Sequence, residues 1–94
     1  MSEQRTIPEP LPPGSAPTQA KAWVRRLVRL MGAGFHPDTP FDEYRTPDGA
    51  RSFTPSECAL LEQGLATAWD ILDRAGIEIY AVAEPVQRRV LLGH

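Results

Sequence analysis

The segment from Gly34 to Arg45, GFHPDTPFDEYR, contains the side chains of this chain that are best suited to acid-base chemistry or metal binding. They are His36, Asp38, Asp42, Glu43 and Tyr44. An imidazole beside carboxylates can exchange protons, and the same groups are ligands for zinc. A zinc site usually needs three or four converging ligands, whereas His36 and Asp38 supply two on a loop stiffened by proline. The segment is therefore a candidate site, but we expect no bound metal or other cofactor.

The same segment also has a structural interpretation, which we favour. Thr39 and Pro40 followed by two acids repeat the signature of a helix start, which predicts a short helical turn capped by Thr39. The polar residues would then hold the loop in shape, and its aromatic residues would close the core: Phe35, Phe41 and Tyr44.

Cys58 is the only cysteine, which excludes an intramolecular disulfide and a zinc site built from several thiolates. It lies in the first turn of a predicted helix, where the helix dipole favours a thiolate, so a nucleophilic pair with His36 is an alternative. Because Cys58 also falls on the apolar side of that helix, we expect it to be a small core residue.

A row of positive charges is the other candidate for binding. Lys21, Arg25 and Arg29 are spaced four residues apart on a predicted helix, with Arg26 beside them, so neighbouring charges lie about 6 Å apart. Such a row can follow a phosphate backbone or pair with an acidic partner protein. Nucleic-acid-binding domains are usually basic overall, whereas this chain has a net charge of -2 and a pI near 5.6. Nucleic acid is therefore the alternative to a protein partner.

Motifs for other functions are absent from the sequence. It has no glycine-rich phosphate loop, nucleophile elbow or readable pair of catalytic carboxylates, so we expect neither an enzyme nor a small-molecule substrate. No run approaches the roughly 20 apolar residues of a membrane span, and the N-terminus does not resemble a signal peptide. We therefore expect a cytoplasmic protein without a membrane partner.

The elements that must position these residues fit in one domain, because the chain has 94 residues. Residues 1–17 hold five of the ten prolines, which predicts a flexible tail with polyproline II character, and residues 18–94 form a single helical domain. The stretch from Pro10 to Pro13 matches a PxxP ligand pattern, but we interpret the tail as a spacer.

Two amphipathic helices follow from the periodicity. The first runs from an N-cap at Thr18 to Met31, and Gly32 and Gly34 stop it. The second begins at a capping box formed by Thr54 and Glu57 and runs to about residue 75, with Gly76 as its stop. Its apolar surface is wide, so we expect it to be central, and Gly64 would allow a neighbouring backbone to approach closely. The first helix is basic and the second is acidic, and packing them would bring opposite charges together. We expect one core shared by Trp23, Leu27, Leu61, Leu65, Trp69 and Leu72.

The remaining segments are a connection and an ambiguous end. Residues 44–53 surround a Pro47-Asp-Gly49 turn and could form a short hairpin. Residues 77–83 can alternate as a strand or line up as a helix, and Pro85 can kink one helix or begin a shorter one. We favour helix, because a strand would have no obvious partner except that hairpin.

The order GFHPDTPFDEY, a turn, FTPSEC opening a long helix, and then GIEIY resembles small uncharacterised bacterial proteins with a GFHPDTP-type loop. The resemblance extends from Gly32 to about Val86. It implies a bacterial cytosolic origin and supports a third helix, and it implies no activity. Taken together, the sequence predicts a mainly α, three-helix domain with an ordered loop or short hairpin between helices one and two. The expected function is protein binding, as an adaptor, inhibitor or regulator that either binds a partner or forms a homodimer.

Overall fold

The computed structural model describes residues 7–32 and 35–84 of the chain. Within them lie three α-helices: α1 (Pro17–Met31), α2 (Pro55–Arg74) and α3, whose described part is 79–84. A one-turn 3-10 helix (Phe41–Glu43) and a short hairpin connect α1 to α2. The mainly α, three-helix architecture is confirmed. None of the helices within the described ranges is long and apolar enough to cross a membrane.

Helix α1 begins one residue before the predicted cap. Its N-cap is Ala16, not Thr18, because Pro17 takes the first helical position, where its missing N–H costs nothing. The side chain of Gln19 accepts a hydrogen bond from the backbone N–H of Ala16 at 2.7 Å, which supplies half of a capping box. At the other end Gly32 has φ 79° and donates its N–H to the carbonyl of Val28, so the predicted stop is confirmed there.

Both ends of α2 follow the prediction. Glu57 N–H donates to Thr54 Oγ1 at 3.1 Å, and Thr54 N–H donates to Glu57 Oε1 at 2.8 Å, which completes the capping box. At the C-terminal end Gly76 has φ 74°, and the N–H of Ile77 donates to the carbonyl of Leu72. This is a Schellman arrangement, which satisfies carbonyls that the end of the helix leaves free.

The segment after Gly76 is helical, as favoured. Ile79, Val82 and Ala83 are buried at spacings of three and four, whereas the strand alternative would alternate buried and exposed residues. Pro85 and the residues after it lie outside the described residues, so the alternatives of a kink at Pro85 and a new helix there remain predictions.

The connection between α1 and α2 contains both predicted features. The hairpin is closed by a bridge between Arg45 and Arg51, and Gly49 at its tip has φ 94°. The helical turn is present at Phe41–Glu43, but its N-cap is Pro40 and not Thr39. The N–H of Phe41 donates to Glu62 Oε2 of α2 at 3.1 Å, so a carboxylate of the neighbouring helix serves the turn in place of a threonine hydroxyl.

One core joins all three helices and the connection. Five of the six residues predicted to share it are buried, and Trp69 packs against it half-buried. The buried apolar residues of α1 and α2 are Ala20, Trp23, Val24, Leu27, Val28, Leu61, Leu65, Ala68, Ile71 and Leu72. Phe35, Phe41 and Phe53 extend this core into the connection. Among the described residues no ion pair joins α1 to α2, so packing of apolar faces, and not charge pairing, holds the two helices together.

The described part of the proline-rich N-terminal segment runs along the helices. Residues 7–16 have neither helix nor strand, but they contact the helical domain. Pro8 is buried, Ile7 and Leu11 pack against the core, and the indole N–H of Trp23 donates to the carbonyl of Glu9 at 2.8 Å. A backbone restricted by proline loses less entropy on ordering, so these few contacts can hold the segment against the helices. Residues 1–6 lie outside the described residues.

Candidate functional site

The loop that carries His36 is held in shape from both sides. Tyr44 places its hydroxyl 2.9 Å from the backbone N of His36 and 3.0 Å from its carbonyl, accepting from the first and donating to the second. The N–H of Thr39 donates to the same carbonyl at 3.0 Å, and the N–H of Asp38 donates to His36 Nδ1 at 3.4 Å. Tyr44 therefore acts as a clamp on the loop.

Tyr80 of helix α3 contacts this loop, and it was not among the candidate site residues. The hydroxyl of Tyr80 donates to Asp38 Oδ2 at 2.6 Å, and His36 Nδ1 lies 3.9 Å from the same oxygen. The hydrogen bond to Asp38, followed by desolvation, raises the pKa of Tyr80 above its ordinary value. Tyr80 was hidden because its helix was ambiguous. The helical interpretation of residues 77–83 was the only sequence signal that concerned Tyr80. It does not show that Tyr80 lies opposite the loop, because that position depends on the tertiary fold.

An aromatic cluster surrounds this hydrogen bond. The rings of Tyr80 and Trp69 meet at right angles with centroids 6.0 Å apart, and the rings of His36 and Tyr80 are 6.3 Å apart. A cleft of about 260 Å³ opens beside Tyr80 and His36. The side chains of His36 and Asp38 are 61% and 60% exposed, so both are accessible to water. The arrangement suits surface contact better than catalysis, which relies on groups shielded from water.

The acidic residues of the candidate loop site do not all converge on His36. His36 and Asp38 are neighbours, whereas Asp42 and Glu43 lie exposed on the 3-10 turn, where the carbonyl of Asp42 accepts from Arg45 Nη1 at 2.6 Å. Within the described residues no group of three or more His, Cys, Asp or Glu side chains is placed to hold a metal ion.

Cys58 lies in surroundings that oppose a thiolate. Desolvation raises its pKa, and the nearby carboxylates of Asp42 and Glu62 raise it further. Its sulfur lies 4.0 Å from the carbonyl of Phe53, to which it can donate weakly. A nucleophilic pair needs a base that lowers the pKa of the thiol, so this environment does not suit the alternative of a pair with His36.

The basic row on α1 remains on the surface. Arg25, Arg26 and Arg29 are exposed and Lys21 is half-buried, while the opposite side of the helix is held in the core. In the described ranges none of their four side chains takes part in a hydrogen bond or ion pair. Three of the four acids of α2, in contrast, have local roles: Glu57 caps the helix, Glu62 holds the 3-10 turn, and Asp70 pairs with Arg74 at 3.2 Å. We call these four cations the basic face.

A second surface feature on α1 is the groove occupied by residues 7–11, which we call the Trp23 groove. It leaves a cavity of about 440 Å³ beside the segment, lined by Ile7, Leu11, Gln19, Trp23 and Arg26 among others. The sequence gives no sign of the surface that receives residues 7–11, and this segment overlaps the PxxP pattern only at Pro10 and Leu11, since Pro12 and Pro13 are exposed. That surface consists of one tryptophan and its neighbours on a helix, so no motif reveals it.

Comparison of the chain with models of known protein families, with curated proteins and with solved structures finds no match. The function is therefore argued from the residues and their geometry alone.

Proposed function

We propose that this chain is a small cytosolic protein-binding module, an adaptor, inhibitor or regulator, whose basic face docks on an acidic surface of a partner protein. The observation that carries the proposal is the presence of four cations on one exposed helix face without partners in the described part of the chain. Charges that have no role inside a domain are available for an intermolecular contact. Their regular spacing also favours a fixed register with the partner.

A protein partner suits this face better than nucleic acid. Stacking aromatic residues usually stand beside the cations of a nucleic-acid-binding surface. Here Trp23 is 4% exposed in the core, and Trp69 lies on α2, outside the helix that carries the basic face. Arginine also forms paired hydrogen bonds with carboxylates, and three of the four cations are arginine.

The experiment compares two double variants of equal charge change in co-purification from the native host, with nuclease present. Arg25→Glu plus Arg29→Glu reverses the basic face. Arg45→Glu plus Arg51→Glu reverses two exposed arginines of the hairpin and serves as the control. We expect the wild type and the control to retain a protein partner that the Arg25→Glu plus Arg29→Glu variant loses. The loss should be more complete at low salt, where charges are least screened.

Two results would contradict the proposal. Equal retention by both variants would remove the basic face from the interface. Two observations together would establish the nucleic-acid alternative instead. The wild type would retain material without nuclease and lose it with nuclease, and a salt-dependent gel shift would be abolished by Arg25→Glu plus Arg29→Glu.

A further inference from the structure

The burial of residues 7–12 follows a period of three. Ile7 and Pro8 are half-buried and buried, Glu9 is exposed, Pro10 and Leu11 are half-buried, and Pro12 is exposed again. A polyproline II helix has three residues per turn, so two of every three side chains can lie on a surface while the third points to solvent. The pattern is that of a polyproline II ligand lying in a receptor groove.

The segment is also fixed in this conformation by its sequence. Every residue from Ile7 to Pro13 is a proline or precedes one. Proline restricts its own φ to about -65°, and it confines the preceding residue to extended conformations. The segment therefore loses little entropy when it docks, which is the property that makes such peptides common ligands of aromatic grooves.

The groove recognises the backbone and the apolar positions of the segment. Trp23 Nε1 donates to the backbone carbonyl of Glu9 at 2.8 Å, and Glu9 itself is exposed. Ile7 and Leu11 pack against the core on either side of that hydrogen bond. The contacts therefore select an apolar-Pro-x-Pro-apolar pattern and not one particular sequence.

We propose that the Trp23 groove is a binding site for proline-rich segments of partner proteins and that residues 7–11 are its built-in competitor. Within the described residues a single hydrogen bond joins this segment to α1, and most of its side chains are only half-buried. Such an attachment can be released without unfolding the helices. A partner segment with the same pattern takes its place, and the site adjoins the basic face, because Arg26 also lines the groove.

The test uses a synthetic peptide of residues 5–14 and the full chain with Ile7→Ser plus Leu11→Ser, which weakens the built-in segment. We expect the peptide to bind this variant at least about tenfold more tightly than the wild type, in which the tethered segment competes at millimolar effective concentration. The same peptide with serine at positions 7 and 11 is the control and should not bind. Circular dichroism checks that the variant keeps its helices, and the single variant Leu11→Ser replaces it if it does not.

The readout is the indole N–H resonance of Trp23 in a nitrogen-15 spectrum, assigned with a Trp69→Phe variant. The double substitution should shift it, and the peptide should return it to its wild-type position and leave the Trp69 signal unchanged. The proposal would be overturned if the peptide bound neither the Ile7→Ser plus Leu11→Ser chain nor the Leu11→Ser chain. A peptide-induced shift confined to the Trp69 signal would also overturn it. Wild-type chains that sediment as dimers, and as monomers when Leu11 is replaced, would assign the groove to a second copy and overturn the assignment to a partner.

Discussion

The indole ring of Trp23 occupies the space that a side chain at position 64 would need. A methyl group on Gly64 would overlap ring atoms Cζ2 and Cη2 of Trp23. The sequence predicted close approach of a neighbouring backbone at this glycine, whereas the structure places a side chain there, that of the tryptophan whose N–H also holds residues 7–11. Gly64 on α2 thus sets the position of the groove on α1.

We expect Gly64→Ala to lower the free energy of unfolding, measured by urea denaturation. Alanine is the better helix former by about 1 kcal/mol, but displacing a packed ring costs about 1–3 kcal/mol, so the overlap outweighs the gain. In a Trp23→Leu background the ring is gone, and the same substitution should be neutral or stabilising. A stabilised Gly64→Ala in the wild-type background would show that the ring moves aside at no cost.

The parts of the fold that were predictable are those that short-range chemistry determines. The capping box at Thr54, the αL stop at Gly76 and the glycine at the hairpin tip each follow from a local backbone requirement. A polar side chain at the N-cap is the usual sequence signal of a helix start, and Ala16 does not have one. Pro17 and Gln19 form this helix start instead, so the cap at Ala16 was missed.

The contacts that define the candidate sites were not predictable, because they join residues far apart in sequence. Tyr80 meets Asp38 across 42 positions, and Glu62 serves the N–H of Phe41 across 21. Neither pair has a spacing rule, since each depends on how α2 and α3 pack against the connection. The basic face was readable, because helical periodicity alone places its four members together.

The Thr54 hydroxyl serves the end of α2, so we expect Thr54→Ala to destabilise the domain by about 1 kcal/mol without changing partner binding. Ser56→Ala is the matched control, because Ser56 is exposed in the same turn. Thermal and urea denaturation measure both. Lost partner binding at unchanged stability would place Thr54 in a site instead.

Leu65 and Leu60 lie on the same helix with opposite surroundings, since Leu65 is 5% exposed and Leu60 is 43% exposed. We expect Leu65→Ala to cost about 2–5 kcal/mol through lost burial and the cavity that remains. Leu60→Ala should stay within about 0.5 kcal/mol of the wild type. Urea denaturation of the pair checks this, and similar losses for both would mean that the exposed side of α2 also supports the fold.

The phenol of Tyr80 should titrate above its ordinary pKa of 10.0, because its proton is held by Asp38. The folded state therefore binds this proton more tightly than the unfolded chain does. The contribution of the hydrogen bond to stability is complete below pH 10.0 and is lost as the pH rises through the folded pKa. A tyrosine carbon-13 NMR titration should show Asp38→Asn lowering the Tyr80 pKa. Asp42→Asn, a matched loss of one carboxylate on the 3-10 turn, should leave the Tyr80 pKa unchanged. Equal changes of this pKa in both variants would mean that the net negative charge nearby, and not the hydrogen bond, raises it.

The basic face should be dispensable for the fold itself. In the described residues its four cations pair with no acid of α2, and apolar side chains hold α1 in place. Exposed ion pairs contribute only about 0–1 kcal/mol, so Arg25→Glu plus Arg29→Glu should retain wild-type helicity by circular dichroism. Any complex that uses this face should weaken in the same variant, most strongly at low ionic strength, as analytical ultracentrifugation with the partner can measure. Lost helicity would show that the basic face supports the fold, and unchanged association at low salt would remove it from the interface.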